Sequence, residues 1–161
     1  MTFASSPADL AGLDKMREMS GLDFMQAMLS GEISEPPIAQ GCNFSLESVD
    51  EGKVVFRGTP GFSHMNPMGG VHGGWYATIL DSALGCAVMT RVPAGSTYTT
   101  LEFKVNLTRA LPAETEVRAI GLVAHAGRST GVATAELRGV SDDRLYATAS
   151  TTCLVMALPI G

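Results

Sequence analysis

The sequence predicts an α+β fold in which a long antiparallel sheet wraps around one central buried helix, preceded by an N-terminal helical segment. Three observations point to it. Apolar residues alternate with period two on either side of a single apolar stretch of helical length at about residues 73–90. The strand candidates after that stretch are long. The order is two strands, one helix, four strands, so the only helix of that length must find its packing partner in the sheet.

Residues 8–30 read as helical in two pieces: Pro7-Ala8-Asp9 opens the first, and Ser20-Gly21 interrupts the pattern. The segment ends at Ser30-Gly31, and Pro36-Pro37 blocks any continuation. From Gly41 the period becomes two, so Phe44, Leu46 and Ser48 face one way in a first strand. Glu51-Gly52 signals a hairpin leading into a second strand, Lys53 to Gly58. Residues 59–72 form a Gly/Pro/Asn-rich loop whose length suggests a function. The helix then runs from Gly73 to Thr90, about 26 Å. It is apolar almost all round, from Trp75 and Tyr76 to Val88 and Met89, as a buried helix is. Strands follow at 97–109, 115–125, 130–140 and 144–156, with turns at Leu111-Pro112-Ala113, Ala126-Gly127 and Ser141-Asp142-Asp143. Each exceeds the usual strand of about five or six residues, as curved strands wrapping a helix would. One helix cannot cover so wide a sheet, which leaves an edge or face for a second subunit.

The 161 residues fit one domain, with 1–39 as the helical segment and 40–157 as the sheet-and-helix unit. Hydrophobic residues at 45% and charged residues at 17% describe a packed chain. A net charge of −5 speaks against nucleic acid and anionic membranes as partners, so an anionic ligand needs local basic residues. Cys42, Cys86 and Cys153 are odd in number, far apart and free of CxxC pairs. They suggest reduced thiols in a reducing, cytoplasmic compartment rather than a disulfide framework or zinc site. The first thirty residues lack a basic start followed by an apolar run, so no signal peptide is read. The longest apolar stretch, Val71 to Val92, carries His72, Thr78, Asp81 and Ser82 and reads as a buried helix, not a membrane span.

Three features converge on the start of that helix. Val71-His72-Gly73-Gly74 places glycines where backbone N–H groups lack helical partners and the helix dipole is positive, a setting for an oxyanion. Asp81, eight residues after Gly73, is a carboxylate among Ile79, Leu80, Ala83 and Leu84. Partial burial would raise its pKa, which suits a general base or nucleophile. Asn66 offers both donor and acceptor for a water or carbonyl. Each has a plainer reading alone: a Gly-Gly turn, a structural aspartate, a positioned histidine, and an Asn-Pro turn starter. Their convergence in one window favours a site.

The run Asn66-Pro67-Met68-Gly69-Gly70-Val71-His72-Gly73-Gly74-Trp75-Tyr76-Ala77-Thr78-Ile79-Leu80-Asp81 resembles the hotdog-fold thioesterases of the phenylacetic acid degradation (PaaI-like) type. The resemblance continues through Thr100 to Leu107, Ala126 to Thr130 and Leu145 to Ala149, covering about residues 40–156. It implies a hotdog fold and an acyl-CoA thioesterase. Asp81 would be the catalytic carboxylate, Gly73 the glycine whose N–H polarises the thioester carbonyl, His72 a further member of the catalytic set, and Gly74 a contact for substrate or coenzyme A. Asn66 would position water or carbonyl, and Thr100 would reach the water from a neighbouring subunit. Gly127, Arg128 and Ser129 lie where some members contact the coenzyme, with Arg91 and Arg109 as further candidates. No cofactor is implied, because coenzyme A is part of the substrate. The sites would form at interfaces of a homodimer or homotetramer. The sequence departs from the family at Arg109-Ala110, where many members have Arg-Pro, and before residue 40, which matches nothing in particular.

The expected reaction is hydrolysis of an acyl-CoA to free acid and coenzyme A, with Asp81 delivering water or forming an anhydride. Trp75, Tyr76, Phe62 and Met89 suggest an acyl pocket for a medium-chain or aromatic group. A hydratase or dehydratase on the same fold would need a histidine paired with a carboxylate. His64, His72 and His125 have no acidic neighbour in sequence. A non-catalytic acyl-CoA-binding module is the other alternative.

Overall fold

The computed structural model describes residues 2–159. Three short helices precede the sheet: α1 (Gly12–Glu18), α2 (Gly21–Ser30) and α3 (Pro37–Gly41). Ser20 caps α2 by accepting the Asp23 N–H at 3.2 Å, and Gly31 ends it at φ +84°. The predicted break at Ser20-Gly21 is thus a helix boundary. Pro36-Pro37 does more than block a helix, because Pro37 is the first residue of α3.

Six strands follow: β1 (Phe44–Asp50), β2 (Lys53–Gly58), β3 (Ser96–Leu107), β4 (Val117–Ala126), β5 (Thr130–Gly139) and β6 (Leu145–Ala157). They make one antiparallel sheet in the order β1-β2-β4-β5-β6-β3. After β2 the chain crosses the sheet through α4 (Gly73–Met89) and returns as β3 at the far edge. The bounds of β2 to β6 and of α4 agree with the sequence reading to within two residues, whereas the first helical piece, read from residue 8, is a short 3-10 turn at Pro7–Asp9 followed by α1 from Gly12. Within β1 the expected alternation fails. A bulge between Leu46 and Ser48 shifts the register, and Val49 takes the inward position expected of Ser48.

The core lies between α4 and the concave sheet. Ile79, Leu80, Ala83, Leu84 and Ala87 have no exposed surface, and burying a side chain of leucine size stabilises by about 1.5–3 kcal/mol. The sheet approaches α4 closely at Gly121 of β4, where a Cβ would lie 2.1 Å from the Ala83 carbonyl oxygen. At its other end α4 meets α2, where a Cβ at Gly21 would lie 1.9 Å from the Met89 carbonyl oxygen.

The helix is not buried all round, as its composition suggests. Gly73, Gly74, Ala77, Thr78, Asp81 and Ser82 form a stripe along one side that the sheet leaves uncovered. Composition counts apolar residues but not which turn they fall on. The small and polar ones recur at three- and four-residue steps and collect on one face. Among the described residues no helix is long and apolar enough to cross a membrane.

Gly121→Ala should destabilise the protein by about 1–3 kcal/mol in thermal or denaturant unfolding, because backbone must move to admit the methyl. Gly41→Ala, with nothing within 4 Å of the added carbon, should change stability by less than about 0.5 kcal/mol.

Candidate active site

The loop before α4 is folded on itself rather than slack. The Asn66 N–H donates to the Gly70 carbonyl at 2.7 Å, and the His72 N–H donates to the His64 carbonyl at 2.8 Å. The Asn66 side-chain oxygen accepts the N–H groups of Met68 and Gly70 at 2.9 and 3.1 Å, which closes the tip as an Asx turn. The Asn66 oxygen is therefore spent on the loop. His64 fixes the loop base: its Nδ1 accepts the Gly61 N–H at 2.9 Å while Nε2 donates to the Gly41 carbonyl at 3.0 Å.

His72 is the N-cap of α4. Its backbone is extended at φ −64°, ψ 137°, and its Nδ1 accepts the Gly74 N–H at 2.8 Å. That bond holds Nδ1 as an unprotonated acceptor. The Gly74 N–H is satisfied by it. The Gly73 N–H donates to no group among the described residues. Trp75 anchors the first turn by donating its indole N–H to the Cys42 carbonyl at 2.7 Å. A pocket of about 330 Å³ opens beside this turn, lined by Ser63, His64, His72, Trp75 and Thr78 among others.

Asp81 stands beyond that pocket on the same stripe. It is half-buried, and burial raises its carboxyl above the ordinary value of 3.8, with the Thr100 hydroxyl opposing in part. Thr100 Oγ1 lies 3.5 Å from Asp81 Oδ1. This Thr100 belongs to the same chain, where the family resemblance implies a residue reaching over from a neighbouring subunit.

A bulge in β3 makes this contact compatible with the rest of the strand. The register against β6 shifts between Thr100 and Glu102. Tyr98 and Thr100 on one side of the bulge, and Leu107 on the other, all meet α4. Without the extra residue, even- and odd-numbered positions would face opposite sides of the sheet. The sequence holds no turn residue at Leu101 to signal it.

The thiols do not compete with Asp81. Burial, then the charges of Asp81 and Glu35, push Cys86 up to about 12, so it is a protonated thiol at neutral pH. Trp75, Tyr76 and Met89 are core residues at 4%, 3% and 4% exposure, whereas Phe62 is 87% exposed. The four therefore do not form one acyl pocket. The apolar side chains open beside the stripe are instead Phe103, Val105 and Leu107 of β3.

Gly127, Arg128 and Ser129 form the turn between β4 and β5. The Gly127 N–H donates to the Thr130 carbonyl at 2.8 Å, and the Val155 N–H donates to the Ser129 carbonyl at 3.0 Å. Thr130 pairs with Leu154 and Leu154 with Thr99, so the turn is two strand spacings, about 10 Å, from β3. Arg128 and Arg109 form no ion pair among the described residues, but Arg91 is held by Glu51. Pairing also occupies Arg57, Arg118, Arg138 and Arg144.

A comparison with curated proteins gives no match. Among solved structures, the chain is similar to a phenylacetic acid degradation-related protein of Ralstonia eutropha JMP134. The two share 27% identity and a TM-score of 0.73 over 80% of this chain and 97% of that one. It is also similar to a conserved protein of Pseudomonas aeruginosa, at 28% identity and a TM-score of 0.68 over 74% and 93%. The PaaI protein of the E. coli phenylacetic acid degradation operon shares the fold, with 21% identity and a TM-score of 0.74 over 89% and 99%. The family model of the thioesterase superfamily matches residues 68–151, from the loop tip through α4 to β6. With its six-stranded sheet wrapped around α4 and that match over half of its length, the chain belongs to the thioesterase superfamily, enzymes that hydrolyse thioesters, and has the hotdog fold.

Proposed function

We propose that the protein hydrolyses an acyl-CoA to the free acid and coenzyme A, with Asp81 as base or nucleophile and the Gly73 N–H as the oxyanion donor. The observation that carries this reading is the half-buried Asp81 on the open stripe of α4, with the Thr100 hydroxyl beside it. A carboxylate held partly out of water, with a raised pKa, is a better base than a solvated one. An unpartnered N–H at a helix start is aimed at developing negative charge, and the dipole adds to it.

In this reading the two groups come from two copies of the chain, and helix geometry supports that division. Gly73 and Asp81 are eight residues apart on one helix, about 12 Å at 1.5 Å per residue. One thioester carbonyl cannot touch both. A second copy supplies the missing partner, so that the helix start of one subunit faces Asp81 of the other. The edge strand β3 suits that contact: Leu101, Phe103 and Leu107 on it are 58%, 41% and 53% exposed, a patch that a monomer would leave wet. We assign a homodimer as the working unit, the minimum for a homotetramer.

In this reading His72 fixes the helix start, and Gly74 keeps the backbone open to the substrate. Asn66 shapes the loop and has only its amide N–H₂ left for a water. Thr100 steadies the carboxylate. Arg128, without an acidic partner among the described residues, takes a coenzyme phosphate, and Gly127 and Ser129 permit its approach. The acyl group, medium-chain or aromatic, lies along Phe103, Val105 and Leu107. Water that gives its proton to Asp81 attacks the carbonyl carbon, or the carboxylate attacks and water then cleaves the anhydride. Either way the C–S bond breaks, the new C–O bond completes the acid, and the thiolate takes up the proton from that water as coenzyme A.

Asp81→Asn should lower kcat by about 10²–10⁴-fold in thiol release from acyl-CoA esters, the usual contribution of a positioned base. Wild-type kcat/KM should rise with pH through a midpoint above the ordinary 3.8, because burial raises the Asp81 carboxyl. The same shift fixes a stability sign. The raised folded value means the fold disfavours the ionised carboxylate, so the loss of stability appears as pH rises through that value and vanishes below 3.8. Asp81→Asn should therefore melt higher than wild type at pH 7, with the gap closing in acid.

Gly73→Pro removes the proposed donor while keeping the helix. Proline is at home at the first helical position, and His72 already has the extended backbone that a following proline requires. It should cost about 10²–10³-fold in kcat with little change in fold by circular dichroism. Gly73→Ala keeps the N–H and meets only the Leu107 Cδ1 at 3.4 Å. A Pro variant as active as the Ala variant would remove the Gly73 N–H from the mechanism.

A further inference from the structure

A bulge needs something to hold it, because the extra residue interrupts the hydrogen-bond ladder. In β3 the register against β6 runs with Thr100 opposite Cys153 and Glu102 opposite Thr152, so Leu101 is the extra residue. Thr151 stands beside that break on β6. It is buried, at 1% exposure, where valine would fill the same space with no polar atom to satisfy. Its hydroxyl donates to the Glu102 carbonyl at 2.6 Å, across 49 residues of sequence. A side chain is thus tied to the backbone at the bulge itself.

The same Thr151 oxygen lies 3.9 Å from Cys153 Sγ. A hydroxyl has one proton, and the Glu102 carbonyl takes it, so the thiol is the donor in this second contact. Cys153 is fully buried and is the cross-strand partner of Thr100. With the thiol proton turned toward Thr151, the Thr100 hydroxyl keeps its own proton for Asp81 Oδ1, 3.5 Å away. A contact at that distance is made or lost by a shift of a few tenths of an ångström, so what holds the bulge decides it.

We propose that Thr151 is a positioning residue for the active site: its hydroxyl holds the β3 bulge in the geometry that presents Thr100 to Asp81. The inference rests on the acyl-CoA hydrolase reading above and adds to it a residue that touches neither substrate nor water. The competing account is that Thr151 satisfies a buried carbonyl and stabilises the sheet, with no effect on the carboxylate. The two differ at Asp81. The Thr100 hydroxyl donates to the ionised carboxylate and opposes the upward push of burial, so its withdrawal should raise the Asp81 value further. The other titratable groups beside Asp81 are Cys86 on α4, Tyr98 on β3 and Cys153 on β6. Burial holds all three above their ordinary values, so they stay neutral while the carboxyl titrates.

The test follows the Asp81 carboxyl by carbon-13 NMR against pH, with Asp81→Asn to assign its signal, alongside kcat and KM for thiol release from acyl-CoA esters. Thr151→Val and Thr100→Val should each move the Asp81 midpoint upward. The double variant should move it no further than Thr100→Val alone, because one residue acts through the other. Thr151→Ala, a second variant without the hydroxyl, should shift the midpoint as Thr151→Val does. Thr151→Ser keeps the hydroxyl and should titrate as wild type, although it loses a buried methyl. Thr151→Val should lower kcat and kcat/KM together by about two- to tenfold, the worth of one lost hydrogen bond, and Thr151→Ser should not. A folded Thr151→Val or Thr151→Ala with the wild-type midpoint, or a double-variant shift equal to the sum of the single ones, would overturn the proposal and leave the hydrolase reading intact. Wild-type protein that releases no thiol from any ester would remove the hydrolase reading, and the titration would still decide whether Thr151 acts on Asp81 through Thr100.

Discussion

One helix packed against one sheet has a side that its own chain does not cover, and the properties of this protein follow from what occupies that side. Residues facing the sheet are large and fully buried, from Ile79 to Leu84. Those facing away are glycine, alanine, threonine, serine and Asp81. A carboxylate there is dry enough to resist ionisation yet open enough to meet a substrate. Moved onto the sheet-facing side it would lie without a partner in the core, at a cost of several kcal/mol. Moved to the surface it would lose the raised pKa.

In the proposed mechanism the same geometry leaves the site incomplete within one chain. A helix start and a carboxylate eight residues later are held rigidly apart by the helix that positions both. The rigidity that fixes the Gly73 N–H and Asp81 also forbids them to meet on one carbonyl. The proposed symmetric dimer would resolve the conflict, because a two-fold axis can bring the start of one helix near the middle of the other without flexible parts. The edge position of β3, with its exposed apolar side chains, serves the same end. It carries the Asp81 neighbour Thr100 and offers an unpaired backbone edge.

Much of this was legible in the sequence because it depends on local rules. Gly73-Gly74 after His72 marks a helix start wherever the helix packs, and Asp81 stands out against Ile79, Leu80 and Leu84 by chemistry alone. Turn residues delimit β4, β5 and β6 to within two residues. What escaped depends on contacts between distant segments. The bulge at Leu101 has no composition signature, and it decides which side of β3 faces the helix. The bond from Thr151 to the Glu102 carbonyl joins two residues that look ordinary apart. Trp75, Tyr76 and Met89 read as pocket residues because composition cannot tell a lining from a core. Asn66 reads as a substrate contact, and the structure adds that its oxygen accepts from Met68 and Gly70, which leaves only its amide N–H₂ for that role. An unpaired loop amide and a loop staple look the same in one dimension.

The central claim is that one working site joins Asp81 of one subunit to the Gly73 N–H of another. Its most direct test mixes two inactive variants, Asp81→Asn and Gly73→Pro, after subunit exchange has been demonstrated by mass spectrometry. Each mixed dimer then holds one site with both groups intact. An equal mixture should recover about a quarter of wild-type thiol release, as random pairing across a two-fold axis requires. Exchanged subunits with no recovered activity would contradict the account and place both groups, against the helix geometry, in a site within one chain.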